Sequence, residues 1–226
     1  MTRAEFIFNL PEITKGYRPA TRVIEKLKNI DLLMVVGPSG VGKTSVINKL
    51  GIPIIPPDTT RDPRPEETNG RDFNFRQDFD QIVQEIQTGQ FVQLVVGASG
   101  DLYATKADSY PDLGRAVLPV MANVLGIFRT LGFKSTQTVF ITPPSHQEWF
   151  RRLSTHNLNQ DQLDKRMKEA RQSLHLSLLD NDMHFILNDD LDKAAAQIKS
   201  VLVGQIDLER EGAARSAALK ISNALH

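Results

Sequence analysis

The 226-residue sequence contains no cysteine. That excludes disulfides, thiolate metal sites and cysteine nucleophiles, and it is compatible with a reducing compartment. It has no net charge, because 27 Lys and Arg residues offset 27 Asp and Glu. No duplex-binding surface is indicated globally, and no nucleic-acid partner is expected. Any anion site must come from local clustering of Arg and Lys. No apolar run approaches the ~20 residues of a membrane span, and residues 1–11 lack the apolar core of a signal peptide. No membrane partner and a cytoplasmic location are expected. His146, His156, His175, His184 and His226 are scattered and show no metal-ligand spacing.

Against these absences stands one stretch with chemical content. Leu32, Leu33, Met34, Val35 and Val36 form an apolar, β-rich run, and Gly37-Pro38-Ser39-Gly40-Val41-Gly42-Lys43-Thr44 follows it. This fits G-x-x-x-x-G-K-[ST] between a strand and a helix, the context a phosphate-binding P-loop requires. Glycines let the backbone curl so that several N–H groups point at one anion. The helix opening near Lys43 adds the positive end of its dipole. The Lys43 ammonium can reach β- and γ-phosphates, and the Thr44 hydroxyl can ligate Mg²⁺. A plain glycine turn would not need Lys-Thr at this register.

The remaining pattern alternates strands with helices. Strands are expected at residues 52–55, 73–75, 91–96, 116–121, 138–141 and 185–187, with 102–105 returning as a hairpin partner. Helices are expected at 21–28, 43–50, 78–88, 124–131, 162–179 and 206–225. Two more are capped by Ser145 and Asp190. Pro11, Gly16 and Pro19 interrupt the start of residues 1–31, read as an added arm or packing helix. The pattern predicts an α/β fold, a P-loop core with a mainly parallel sheet flanked by helices. Ligands in such sheets sit at the C-terminal strand ends.

A second anion site is suggested by Thr59-Thr60-Arg61-Asp62-Pro63-Arg64-Pro65. Guanidinium forks bind phosphate oxygens bidentately, and prolines limit the freedom lost when such a loop orders. Alone this would read as a solvated basic turn. Beside a P-loop, Arg61 and Arg64 can hold an acceptor phosphate for in-line transfer.

The segment from Thr59 to Phe73, T-T-R-D-P-R-P-E-E-T-N-G-R-D-F, resembles the T-T-R-x-P-R-x-G-E-x-N-G-x-D-Y stretch of guanylate kinases. The P-loop, the Phe140-Ile141-Thr142-Pro143-Pro144-Ser145 stretch and Asn188-Asp189-Asp190 are also similar to that family's. The resemblance covers residues 32–203, leaving 1–31 and 204–226 as extensions. It implies an acceptor-binding insertion near 56–105 and a helical lid near 145–175. It implies transfer of the ATP γ-phosphate to GMP with Mg²⁺. Phosphate-binding roles then fall to Gly37, Ser39, Gly40, Val41, Gly42, Lys43 and Thr44, with Thr44 on the metal. Arg61, Arg64, Phe73, Gln93 and Tyr103 would meet the acceptor. Arg61, Arg152 and Arg166 would join Lys43 in catalysis, the latter two from the lid, and Asn188 would lie near the adenine.

The departures lie on the acceptor and metal side. Phe73 replaces a phosphate-binding Tyr, Pro57 a Ser, and Gln93 a guanine-reading Glu. Pro119 and Met121 stand where the family has two Asp, and His156 falls near a lid Arg position. Asp101 or Asp108 could replace the missing metal acid. The open readings are a nucleoside monophosphate kinase with GMP as first candidate, a related sugar-phosphate kinase, and a catalytically impaired nucleotide-binding or interaction module. Trp149 reads as core or lid packing. Residues 204–226 read as a packing or dimer helix, so a homodimer through the extensions is a further expectation.

Overall fold

The computed structural model describes residues 1–64, 67–97, 99–155 and 158–225. His156, His226 and two positions of the arginine-loop motif, Pro65 and Glu66, lie outside the described residues. In chain order the elements are α1 (Arg3–Thr14), α2 (Thr21–Leu27), β1 (Ile30–Val36), α3 (Lys43–Asn48), β2 (Asp58–Thr59), β3 (Asn74–Phe75), α4 (Phe79–Gln87), β4 (Phe91–Val96) and β5 (Leu102–Lys106). There follow β6 (Gly114–Pro119), α5 (Leu125–Thr130), β7 (Ser135–Thr142), α6 (His146–Ser154), α7 (Gln160–Leu179), β8 (Met183–Leu187), α8 (Leu191–Leu202) and α9 (Leu208–Ala224). Strands run in the orders β6-β1-β7-β8 and β3-β2-β5-β4 in two sheets. This is an α/β fold with helices flanking a core sheet.

The chain divides into two compact units. The first joins Met1–Leu32, Pro53–Leu118 and Gly126–Ser135. Its core gathers Phe6 and Leu10 of α1, Phe79, Ile82 and Ile86 of α4, and Phe91, Leu102 and Ala104 of the sheet. Helix α1 forms despite Pro11 inside it. The ring removes one helical hydrogen bond and costs about 3 kcal/mol. A Thr2–Glu5 capping box closes the N-terminus, and Phe6 and Leu10, one turn apart, are both fully buried. Burying two such side chains contributes about 3–6 kcal/mol, enough to hold the helix across the proline.

Residues 52–55 do not form the expected strand. Ile54 makes one isolated parallel bridge to Val117, with Ile55 N–H donating to the Val117 carbonyl at 2.9 Å. Pro53, Pro56 and Pro57 bring no N–H, so the ladder cannot extend. Pairing resumes at Asp58–Thr59, where no strand was expected, at the start of the arginine loop. There β2 runs antiparallel to β5 and parallel to β3.

The second unit joins Leu33–Ile52, Pro119–Leu125 and Thr136–His226. Strands β7 and β8 pair in parallel from Thr138↔Met183 to Thr142↔Leu187. Ser145 caps α6 and Asp190 caps α8 through N–H groups one turn on, as their sequence positions predict. Helix α9 covers the outer edge of β8. Glu211 accepts from the Phe185 N–H at 3.4 Å, Arg210 donates to the Leu187 carbonyl at 3.0 Å, and the Arg215 guanidinium lies 5.0 Å from the Phe185 ring centroid. An open strand edge is thereby closed to further pairing.

Candidate active site

The donor half is built on the loop between β1 and α3. Gly37 has φ +149°, and a Cβ there would meet the Ile141 backbone oxygen at 2.6 Å. Gly42 caps α3 in the left-handed region at φ 90°, with the Asn188 amide nitrogen 2.6 Å from where its Cβ would be. Both positions exclude any side chain. Lys43 is half-buried, and its ammonium donates to the Gly37 carbonyl at 2.5 Å and the Pro38 carbonyl at 2.9 Å. The cation is thus stationed on the loop rather than in solvent.

Four side chains from later elements brace that loop. Asn188, just after β8 and buried, donates to the Val41 carbonyl at 2.7 Å. Arg152 on α6 donates to the Val41 carbonyl at 3.2 Å and the Asn188 carbonyl at 3.0 Å. Arg166 on α7, also buried, donates to the Ser39 hydroxyl at 2.9 Å. Trp149 on α6 donates its indole N–H to the Ser39 carbonyl at 2.8 Å. Glu148 accepts from both Arg151 and Arg152, and those two bonds hold its carboxyl well down, at about 2. Arg152 is therefore aimed by a permanent anion.

Lys43, named from the motif, and Arg152, Arg166 and Asn188, named from the family resemblance for the phosphates and the adenine side, all contact the P-loop. Sequence reasoning missed the Trp149 hydrogen bond and the Glu148 fork. The Ser-x-x-Glu spacing from Ser145 to Glu148 marked the helix start, but nothing local marked the indole's partner.

The residues expected to meet an acceptor are placed on the second sheet and the loop beside it. Registers Thr59↔Tyr103, Val95↔Tyr103 and Gln93↔Thr105 place Thr59, Tyr103, Gln93 and Thr105 on one face of that sheet. Arg61 donates both its terminal nitrogens to the Glu67 carboxylate at 2.7 Å, and its guanidinium carbon lies 4.7 Å from the Phe73 ring centroid and 5.4 Å from that of Phe75. Phe73 in turn meets Tyr103 edge-on at 6.2 Å. Burial pushes the Tyr103 phenol up against the opposing pull of Arg61, so it stays a neutral donor at ordinary pH. Burial alone would raise Glu67, but the Arg61 fork and the Arg64 N–H outweigh it and hold the carboxyl low. Glu67 went unremarked as a partner in the sequence. Arg61, Phe73 and Tyr103 are in one cluster, and Gln93 shares the sheet face. Arg64 joins it through its backbone N–H to Glu67 at 2.8 Å. Gln93 is buried, and its amide nitrogen has no hydrogen-bond partner among the described residues.

The metal side is sparse. Thr44 is exposed near the start of α3 and offers one hydroxyl oxygen. Strand β6, Gly114–Pro119, carries no acid, and among the described residues no group of three His, Cys, Asp or Glu could hold a metal. Asp101 is already paired. Its oxygens are engaged by Arg3 at 2.9 Å and Ser99 at 2.8 Å. Asp108 is exposed in a short 3₁₀ turn. Mg²⁺ keeps several waters and takes substrate phosphates as ligands, usually with one or two protein carboxylates; the Thr44 hydroxyl could join such a shell, and among the described residues β6 brings no carboxylate beside it.

A family model described as guanylate kinase matches residues 29–205. A protein named guanylate kinase from Corynebacterium efficiens is 32% identical over 189 residues, covering 76% of this chain and 95% of that protein. Another so named, from Caulobacter vibrioides, is 32% identical over 180 residues, covering 75% of this chain and 83% of its own length. A solved guanylate kinase structure from Anaplasma phagocytophilum shares the fold at a TM-score of 0.57 and 22% identity, covering 79% of this chain and 88% of that one.

Proposed function

This chain belongs to the guanylate kinase family, and on that premise we propose that it transfers the γ-phosphate of ATP to a nucleoside monophosphate, with GMP as the first candidate. The observation that carries the reading is the convergence of Arg152, Arg166, Asn188 and Trp149 on the loop that holds Lys43. Phosphoryl transfer asks the protein mainly for positioning and for charge at the moving phosphoryl group. The P-loop N–H groups bind the donor phosphates. Lys43 neutralises charge that builds on the transferring oxygens, and Arg152 and Arg166 add to it. Arg61 and Tyr103 bind the acceptor phosphate. Mg²⁺, held by Thr44 together with phosphates and water, would supply further charge neutralisation.

Gln93 favours a second reading, a kinase whose acceptor carries no guanine. A Glu at this position would accept from guanine N–H groups, whereas Gln brings an amide that also donates. Pro119 and Met121 offer no carboxylate to read a base. ATP consumption by the purified protein, measured with GMP, dGMP, AMP, UMP, TMP and ribose phosphates, tests both. Turnover best with GMP supports the first reading, and turnover only with another acceptor supports the second. Tight ATP binding with no turnover on any acceptor would sink both.

A further inference from the structure

Helix α1 lies outside residues 29–205, yet its first residue reaches the acceptor loop. One Arg3 nitrogen donates to Asp62 at 2.9 Å and the other to Asp101 at 2.9 Å. Asp62 directly follows Arg61. Asp101 is 4% exposed and accepts from Thr60, which directly precedes Arg61, at 3.4 Å. The Thr60 hydroxyl also accepts from the Leu102 N–H at 2.9 Å, and the Thr60 N–H donates to the Leu102 carbonyl at 3.2 Å. A single guanidinium therefore ties down both neighbours of Arg61.

The two arms differ in weight. Asp62 is largely exposed, so that ion pair alone adds little. Asp101 is buried, and without Arg3 its charge would keep, among the described residues, the Thr60 and Ser99 hydroxyls as partners. Removing one partner of a buried carboxylate is costly, so the loop would shift to hydrate it. The shift would be felt at Thr60 and thus at the Arg61 backbone.

We propose that Arg3 is a positioning residue that sets the aim of Arg61 by holding Thr60, through Asp101, and Asp62. The proposal rests on the reading that Arg61 takes the acceptor phosphate. It gives α1 a role in acceptor binding beyond covering the core with Phe6 and Leu10. Arg3 itself touches no substrate.

The test compares the full chain with its R3A and R3K variants. The Thr2–Glu5 cap and the buried α1 side chains are untouched by either substitution. Turnover is measured with MgATP and the best acceptor of the panel above, and amide hydrogen exchange is followed at Thr60 and Leu102. For R3A the acceptor KM should rise roughly tenfold with the ATP KM unchanged, because a misaimed cation weakens acceptor binding alone. Exchange at both amides should quicken, and R3K should recover part of each effect through one ion pair. An R3A protein with unchanged acceptor KM and unchanged exchange would overturn the proposal. So would equal loss toward both substrates, since α1 would then matter only to stability. Should the parent protein turn over no acceptor, the kinase reading fails on its own. The exchange comparison then decides the Arg3 anchor by itself, unchanged rates overturning it.

Discussion

The Trp149 indole donates its N–H to the Ser39 carbonyl at 2.8 Å, joining helix α6 to the middle of the P-loop. Trp149 is 1% exposed, so this donor has no water to fall back on. W149F keeps an aromatic ring in the core and leaves the Ser39 carbonyl without that bond. The bond is worth about 1 kcal/mol, and the smaller ring adds a cavity cost. ATP affinity should fall severalfold by calorimetry while acceptor affinity holds. Unchanged ATP affinity would show that the loop keeps its shape without the indole.

Lys43 donates to two carbonyls of its own loop, which fixes where its charge sits. K43M preserves the stem and removes the cation. The kcat should drop about a hundredfold or more, since a preorganised charge at the transferring group is lost. A K43M protein with parental kcat would remove Lys43 from the mechanism.

Gln93 carries a buried amide nitrogen with no partner among the described residues. An unmatched donor there costs about 1–3 kcal/mol unless a ligand accepts from it. Q93E replaces that donor with an acceptor suited to guanine N–H groups. If the acceptor base meets this residue, the GMP KM of Q93E should fall about tenfold relative to the AMP KM. No change in the ratio would place the base elsewhere.

Glu67 links pH to the Arg61 loop. Its carboxyl is held below the ordinary range in the folded protein, because the Arg61 fork and Arg64 N–H outweigh burial. A lowered folded pKa adds stability that is present above the unfolded value. That stability disappears as pH falls through the folded value. The acid side of the Tm–pH curve should therefore steepen below the usual carboxylate range. E67Q should flatten it and lower Tm at neutral pH, a loss of about 1–3 kcal/mol as the charge-assisted hydrogen bonds of the fork weaken. Parallel curves for the two proteins would show that this fork does not couple folding to pH.

How much of this was legible follows from how far each signal reaches. The P-loop, the Ser145 and Asp190 caps and the α4 stripe are local patterns, each contained in a few turns of chain. Arg61 could be read as a phosphate ligand from its loop, but its fork partner Glu67 could not be chosen among the nearby acids. The strand expected at 52–55 failed because its apolar residues outweighed three prolines in the reading, whereas hydrogen bonding weighs N–H groups. Residues 1–31 read as an added arm or packing helix, with no helix placed at Arg3–Thr14, for the opposite reason. Pro11 signalled a break that buried Phe6 and Leu10 overcome.

By itself the sequence determined a phosphate-binding loop after a buried strand, an α/β order of elements, and the family, because backbone conformation and apolar period are properties of neighbouring residues. Only the tertiary structure decided that Trp149, Arg152, Arg166 and Asn188 meet one loop. It alone decided that Asp101 faces Arg3. Those choices depend on which side chains are desolvated together. A buried donor or charge takes the partner that packing brings within reach, however distant it lies along the chain.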